Sequence, residues 1–391
     1  MSSLRANLFL VALGLSLLGL VMIYSATYRD YGTHYLLVRV LHMVVGVAVF
    51  AVTSRLRYTA WRRYAPALYV VVLVGLVLVL VPGIGTEVGG AKRWFDLGPV
   101  SLQPAEFAKL AAVLALSCSV ARLPRGSGLP LKPLTAVGVL FVLVLVEPDF
   151  GTSVVVLAGV AGSLWASEIR TRDLVLSGTG MFTLLVGVML LAPYRRDRFL
   201  MFLDPWAVAD GLGYQVVQSM VAIKAGGVFG SGAGAGGQGP YVPEIDTDMI
   251  FALVGEELGL LGMVLVIAAF GFIALAGLKI ALGAPSVMAR CVAAGLTTML
   301  TVQAVFNMGA AMVVLPLAGI TLPFVSYGGS SLLVCFAAVG ILYRISEDSE
   351  RAREVTPRPQ GPARSLEDNA ADPDRWGRHG RSRHPRALRG G

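Results

Sequence analysis

Charge is what this chain has least of. Of its 391 residues only 14% are Asp, Glu, Lys or Arg, against roughly 25% in a soluble domain. With 55% hydrophobic residues and a mean hydropathy of +0.72, that scarcity makes lipid the main solvent. Cysteine is also scarce: Cys118, Cys291 and Cys335 each sit inside an apolar run. This excludes a disulfide framework and metal-ligand spacing, and marks them as small buried core residues. No ten-residue alternation suggests a membrane barrel. No Gly-Lys-Ser/Thr ending follows the glycines, so there is no phosphate-binding P-loop. No internal repeat stands out, which weighs against many transporter folds. The formal net charge of +8 is spread over short loops and a tail, so no nucleic-acid partner is expected.

What is present is a series of long apolar runs, near 8–25, 36–53, 66–82, 104–121, 134–148, 151–168, 173–192, 248–276, 290–314 and 326–343. The first lacks a small-residue cleavage site and reads as a retained span rather than a signal peptide. Each run is long enough, with tilt, to cross a hydrocarbon core of roughly 30 Å. Backbone amides in lipid must be bonded internally, so the runs must be helices. The expected fold is an all-α polytopic membrane protein of about ten transmembrane helices. The fifth run ends at Glu147-Pro148-Asp149 and makes a tight hairpin with the sixth.

Orientation follows from Lys and Arg in the short loops. With the N-terminus cytoplasmic, Arg55, Arg57, Arg62, Arg63, Arg122, Arg125, Lys132, Arg170, Arg172, Lys279 and Arg290 all fall inside. Both termini are then cytoplasmic, and 83–103 and 193–247 lie outside. The latter is a large extracytoplasmic loop between helices 7 and 8. Its cations Arg195, Arg196, Arg198 and Lys224, with Lys92 and Arg93 of the earlier loop, break the topology rule and fit an anionic ligand such as a diphosphate. Residues 1–345 form the membrane domain. Residues 346–391 are polar, cannot bury a core, and read as a disordered cytoplasmic tail.

The segment 193–260 holds most of the chemistry. Tyr214 to Ala225 is amphipathic but too short to span. Gly226 to Gly239 permits tight turns, as a hinge, a lid or plain loop. Pro243-Glu244-Ile245-Asp246-Thr247-Asp248 directly precedes an apolar helix. Asp246, Thr247 or Asp248 could cap that helix, or a carboxylate at this desolvated edge could serve as a general base. Glu256 and Glu257 lie roughly 12 Å deeper, with Lys109 and Lys224 as candidate partners. Glu106 and Lys109, at i and i+3, can pair on one face, either structurally or as part of a polar groove. Glu147 and Asp149 flank Pro148 as a capped turn.

Eight ordered blocks carry a resemblance: GAKRW at 90–94, QPAEFAKL at 103–110, EPDFGTS at 147–153, FLDPW at 202–206, GYQVVQS at 213–219, GGVFGSG at 226–232, VPEIDTDMIFALVGEELG at 242–259 and LPFVSYGGSSLL at 322–333. Over about residues 8–344 the chain resembles the SEDS family (FtsW, RodA, SpoVE), closest to the FtsW branch. Departures are Ala105 where the family has Ser, and Asp246 where it has His. The resemblance implies an inverting peptidoglycan glycosyltransferase that polymerises the polyprenyl-diphosphate substrate lipid II. Asp248 falls on the family's essential acid, as base or orienter. Lys92, Arg93, Trp94, Glu106, Lys109, Arg196, Glu257, Ser326, Tyr327 and Ser330 become candidate substrate-binding residues. The resemblance implies as partners a class B penicillin-binding protein and other divisome proteins, and as location the bacterial plasma membrane at the septum. A divalent cation such as Mg²⁺ could share the diphosphate. A lipid II flippase or transporter, a divisome scaffold and a RodA-like elongation role are the alternatives.

Overall fold

A computed structural model describes residues 2–88, 91–98, 100–191, 193–211 and 213–355. The expected tail from 356 onward lies outside the described residues. The chain begins with α1 (Ser2–Tyr31), α2 (His34–Arg55) and α3 (Trp61–Leu80). A small antiparallel meander follows, β1 (Thr86–Val88), β2 (Ala91–Asp96) and β3 (Ser101–Leu102), in the order β1-β2-β3. Then come α4 (Pro104–Val120), α5 (Leu131–Val146), α6 (Phe150–Trp165) and α7 (Thr171–Leu191). The large loop contains α8 (Pro193–Leu203) and α9 (Tyr214–Gly226), and α10 (Ile250–Leu282), α11 (Val287–Ala311) and α12 (Gly329–Val355) complete the chain.

Each of the ten apolar runs falls on an α-helix. Among the described residues, seven helices (α1, α2, α3, α7, α10, α11 and α12) are long and apolar enough to cross a membrane, and α5 and α6 are shorter apolar helices. The strands of the meander are too short to give a period-2 signal, and the sequence reading did not anticipate them. The last helix runs past the expected boundary at 345. α12 continues to Val355, with Ser346 and Ser349 buried, because Arg344 pairs with Glu347 at 3.1 Å and with Asp348 at 2.9 Å.

Local chemistry sets the helix starts. Pro104 opens α4, where its missing N–H costs nothing. The Asp149 side chain caps α6 by accepting from Thr152 N at 3.0 Å, as the capped-turn reading of 147–149 expected. Ser286 caps α11 in the same way. In the buried centre α6 crosses α11 on small residues. A methyl on Gly295 would run into the Ser163 hydroxyl and the Gly159 carbonyl. Such close approach is the usual way helices pack where lipid supplies no hydrophobic drive. The three cysteines are buried and free.

Three of the loop cations, Arg125, Arg170 and Arg290, gather at one end of the bundle. Glu168 pairs with Arg125 at 2.6 Å and Arg290 at 3.1 Å, and Arg170 reaches the Gly126 carbonyl at 2.7 Å. The meander, the 147–149 turn and the segment leading into α10 lie at the opposite ends of these helices, where the acidic residues of interest are found.

Candidate functional site

Asp248 stands just ahead of α10. The helix is capped by Met249 with no side-chain cap bond, so the capping reading of Asp246, Thr247 and Asp248 is overturned. The residues are held by their backbone instead. Asn307 of α11 donates to the Asp248 carbonyl at 2.8 Å and to the Ile320 carbonyl at 2.7 Å. The Ser326 hydroxyl donates to the Thr247 carbonyl at 2.6 Å and accepts from Leu322 N at 2.8 Å. Tyr327 N donates to the Asp246 carbonyl at 2.7 Å. With its backbone engaged, the half-buried side chain of Asp248 is left for other work.

Burial, with Glu244 next, pushes the Asp248 carboxyl up to about 7. The Arg198 guanidinium opposes the rise, and Asp149 and Asp246 add to it. Asp246 is also raised, chiefly by burial. A carboxyl near 7 suits a general base at neutral pH. A methyl on Gly319 would lie 3.6 Å from both Arg198 Nη1 and Asp248 Oδ2. Gly319 has φ +67, so glycine permits this turn beside the two charges. The sequence reading singled out Arg196 from the 195–198 cluster. Arg196 is instead exposed and lies 3.7 Å from its neighbour Asp197, and Arg198 is the cation that acts on Asp248.

The second wall is built from the α5–α6 turn and the meander. Arg93 on β2 donates to the Glu147 carbonyl at 2.7 Å and the Pro148 carbonyl at 2.9 Å. It therefore fixes the turn bearing Asp149. Gln103 donates through its side chain to Asp149 Oδ2 at 3.0 Å, and through its amide to the Ser330 hydroxyl at 2.9 Å. Lys92 and Trp94 are half-buried on β2, opposite Glu87 and Thr86 of β1.

Beneath these lies a buried polar chain. Glu106 and Lys109 pair at 2.6 Å, and Lys109 donates to Gln303 at 2.7 Å. Gln303 donates to the Thr321 carbonyl at 3.0 Å and to the Ser331 hydroxyl at 3.3 Å. Glu106 and Lys109 are thus an interior ion pair, with Lys109 only 1% exposed. Ser326 and Ser330 are likewise buried and committed to backbone partners. The Tyr327 ring lies tilted against that of Tyr35, with 4.9 Å between centroids.

Glu257 belongs elsewhere. It accepts from Ser25 of α1, not from Lys109 or Lys224, and lines a separate cavity of about 200 Å³ with Arg29, Asp30 and Gly234. Glu256 accepts from Gln238 N at 2.7 Å. Both face a break in α10, where Gly259 has φ +66 and ψ −165. The break leaves the carbonyls of Glu256 and Glu257 without helical partners. Ser231 N and Gly232 N of the glycine-rich loop fill them at 2.9 and 3.0 Å. The loop is therefore a bonded patch on the break, and the hinge or lid reading is set aside. Among the described residues, no three His, Cys, Asp or Glu side chains gather as a metal site.

Sequence reasoning missed Asn307 and Gln303, although the signal was present: two amides inside the apolar run 290–314. Polar side chains in a spanning helix are costly and generally engaged.

Fold and site define a helical integral membrane protein with a carboxylate and a cation converging at one end of its bundle. The family model described as "Cell cycle protein", FTSW_RODA_SPOVE, matches residues 5–351, and the chain belongs to that family. It is 37% identical over 353 residues to a probable peptidoglycan glycosyltransferase FtsW of Trichlorobacter lovleyi, covering 87% of this chain and 92% of that one. It is 35% identical to stage V sporulation protein E of Bacillus subtilis, covering 88% and 96%. Among solved structures it superposes on a chain of a peptidoglycan synthase complex with a TM-score of 0.74 at 31% identity, covering 88% and 97%. For the rod shape determining protein RodA of Thermus thermophilus the TM-score is 0.66 at 28% identity, covering 88% and 96%.

Proposed function

We propose that this protein is a peptidoglycan glycosyltransferase that joins glycan chains carried on lipid II-type polyprenyl diphosphates, with Asp248 as general base. The observation that carries this reading is a half-buried carboxyl near 7, backbone-clamped, with Arg198 beside it. Asp248 takes the proton of the acceptor hydroxyl as its oxygen attacks the anomeric carbon of the donor. The bond from that carbon to the diphosphate breaks, and its electron pair leaves with the diphosphate. Inversion follows from a single displacement. Arg198, with Lys92 from the meander, stabilises the departing charge. A divalent cation would sit on the diphosphate oxygens, and no step above depends on one.

The topology that suits this chemistry has ten spans and both termini in the cytoplasm. The large loop between α7 and α10 is extracytoplasmic, in a bacterial plasma membrane and at the septum. A class B penicillin-binding protein is the partner suggested by the synthase-complex neighbour, and the FtsW-type relatives favour division over elongation. A transport path drawn through Lys109 and Glu257 loses its basis, since the two belong to separate clusters.

The test is to purify the protein with its transpeptidase partner, supply lipid II, and follow glycan strands on a gel. Wild type makes polymer and Asp248→Asn makes none. Undiminished polymer from Asp248→Asn would remove Asp248 from the base role.

A further inference from the structure

Arg39, in the second turn of α2, is only 1% exposed. Among the described residues its hydrogen bonds go solely to two backbone carbonyls, those of Phe324 and, at 3.4 Å, Val325. An arginine stays charged even when enclosed. Taking that charge out of water without an acid partner is costly, so the position is better explained by what the guanidinium does for those carbonyls.

Phe324 has φ +66, a left-handed conformation that a bulky side chain adopts only when its surroundings impose it. The turn is enclosed from two sides. A methyl on Gly19 of α1 would strike the backbone of Val325, and His42, one turn beyond Arg39 on α2, packs its ring against Gly329. Two and three residues after Phe324 come the groups that grip the catalytic segment, the Ser326 hydroxyl on the Thr247 carbonyl and Tyr327 N on the Asp246 carbonyl.

We propose that Arg39 is a positioning residue for sugar transfer, holding the 322–327 turn in the strained form that clamps Asp246-Thr247-Asp248. The inference rests on the reading of Asp248 as base. It assigns to α2, which contributes nothing to the chemistry, the task of fixing where the base stands.

The experiment uses the full chain with its partner. Arg39→Met keeps the apolar stem without the donors. Arg39→Lys keeps the charge without the planar fork, and stands in should the methionine variant fail to fold. Hydrogen exchange is followed by mass spectrometry on peptides covering 244–250 and 320–328, with 150–165 as a remote control, alongside kcat and KM for lipid II. The expected result is exchange about tenfold faster in the first two peptides only. With it comes a kcat lower by about tenfold or more and a KM within about twofold. A merely structural arginine would raise exchange everywhere, or lower the yield of folded protein while leaving kcat per folded molecule intact. Either outcome, or unchanged exchange at 244–250, overturns the proposal. An active Asp248→Asn protein would instead refute the base assignment, while faster exchange in the arginine variants would still report the clamp.

Discussion

The Ser326 hydroxyl lies 2.6 Å from the Thr247 carbonyl, one residue from the carboxylate proposed as base, and with Tyr327 N on the Asp246 carbonyl it ties the turn before α12 to the entry to α10. The same hydroxyl accepts from Leu322 N. It therefore closes its own turn while gripping the neighbouring segment.

Ser326→Ala removes that bond and leaves a buried carbonyl and a buried amide without partners, each costing about 1–3 kcal/mol. Polymerisation is expected to fall by about tenfold to a hundredfold, mainly in kcat. Titration of lipid II in the gel assay separates this from lost binding, which would raise KM instead.

The rate should climb with pH up to about 7, where Asp248 ionises, and level off above. The sign for stability is opposite. The folded-state value lies above the ordinary aspartate value, so ionisation weakens the fold as pH rises from the unfolded value to about 7. Asp248→Asn is therefore expected to be inactive yet at least as heat-stable as wild type at pH 8. A thermal melt in detergent showing clear destabilisation would contradict this.

Lys109→Met strands Glu106 in the interior. Breaking a buried pair from one side costs about 3–5 kcal/mol, so a large fall in melting temperature is expected. Adding Glu106→Gln should restore much of the loss, because the double variant leaves no unpaired charge. A double variant as unstable as the single one would show that the pair itself is indispensable.

Gly319→Ala places a methyl within 3.6 Å of Arg198 and Asp248 at a residue with φ +67. Strain of about 1 kcal/mol or more and intrusion between the charges are expected to lower the rate with little change in overall fold. The gel assay and a melt, run together, check both halves of that statement.

Gly230→Ala tests the patch on α10. The added carbon would collide with the Glu257 carbonyl, at φ +81. The glycine-rich loop is expected to detach, and a Ser231→Cys thiol, beside three buried native cysteines, should become readily labelled by an impermeant thiol reagent.

The sequence alone determined the helices, because a chain this poor in charge and this rich in long apolar runs has only one way to satisfy its backbone in lipid. It also determined that Glu106 and Lys109 share a face, since i, i+3 spacing is a property of any helix. Asp149 as a cap could be read from its place after a proline turn. Tertiary structure decided which polar groups meet across hundreds of residues. Arg198 rather than Arg196 faces Asp248. Arg93 holds the 147–148 turn, and Glu257 turns to Ser25 of α1. Asn307 and Ser326 carry the backbone of the 247–248 segment. Helical periodicity assigns a residue to a face of its own helix but says nothing about which helix that face will meet. Here that was settled by the close approach of glycines between helices and by the need of each buried polar group for a partner.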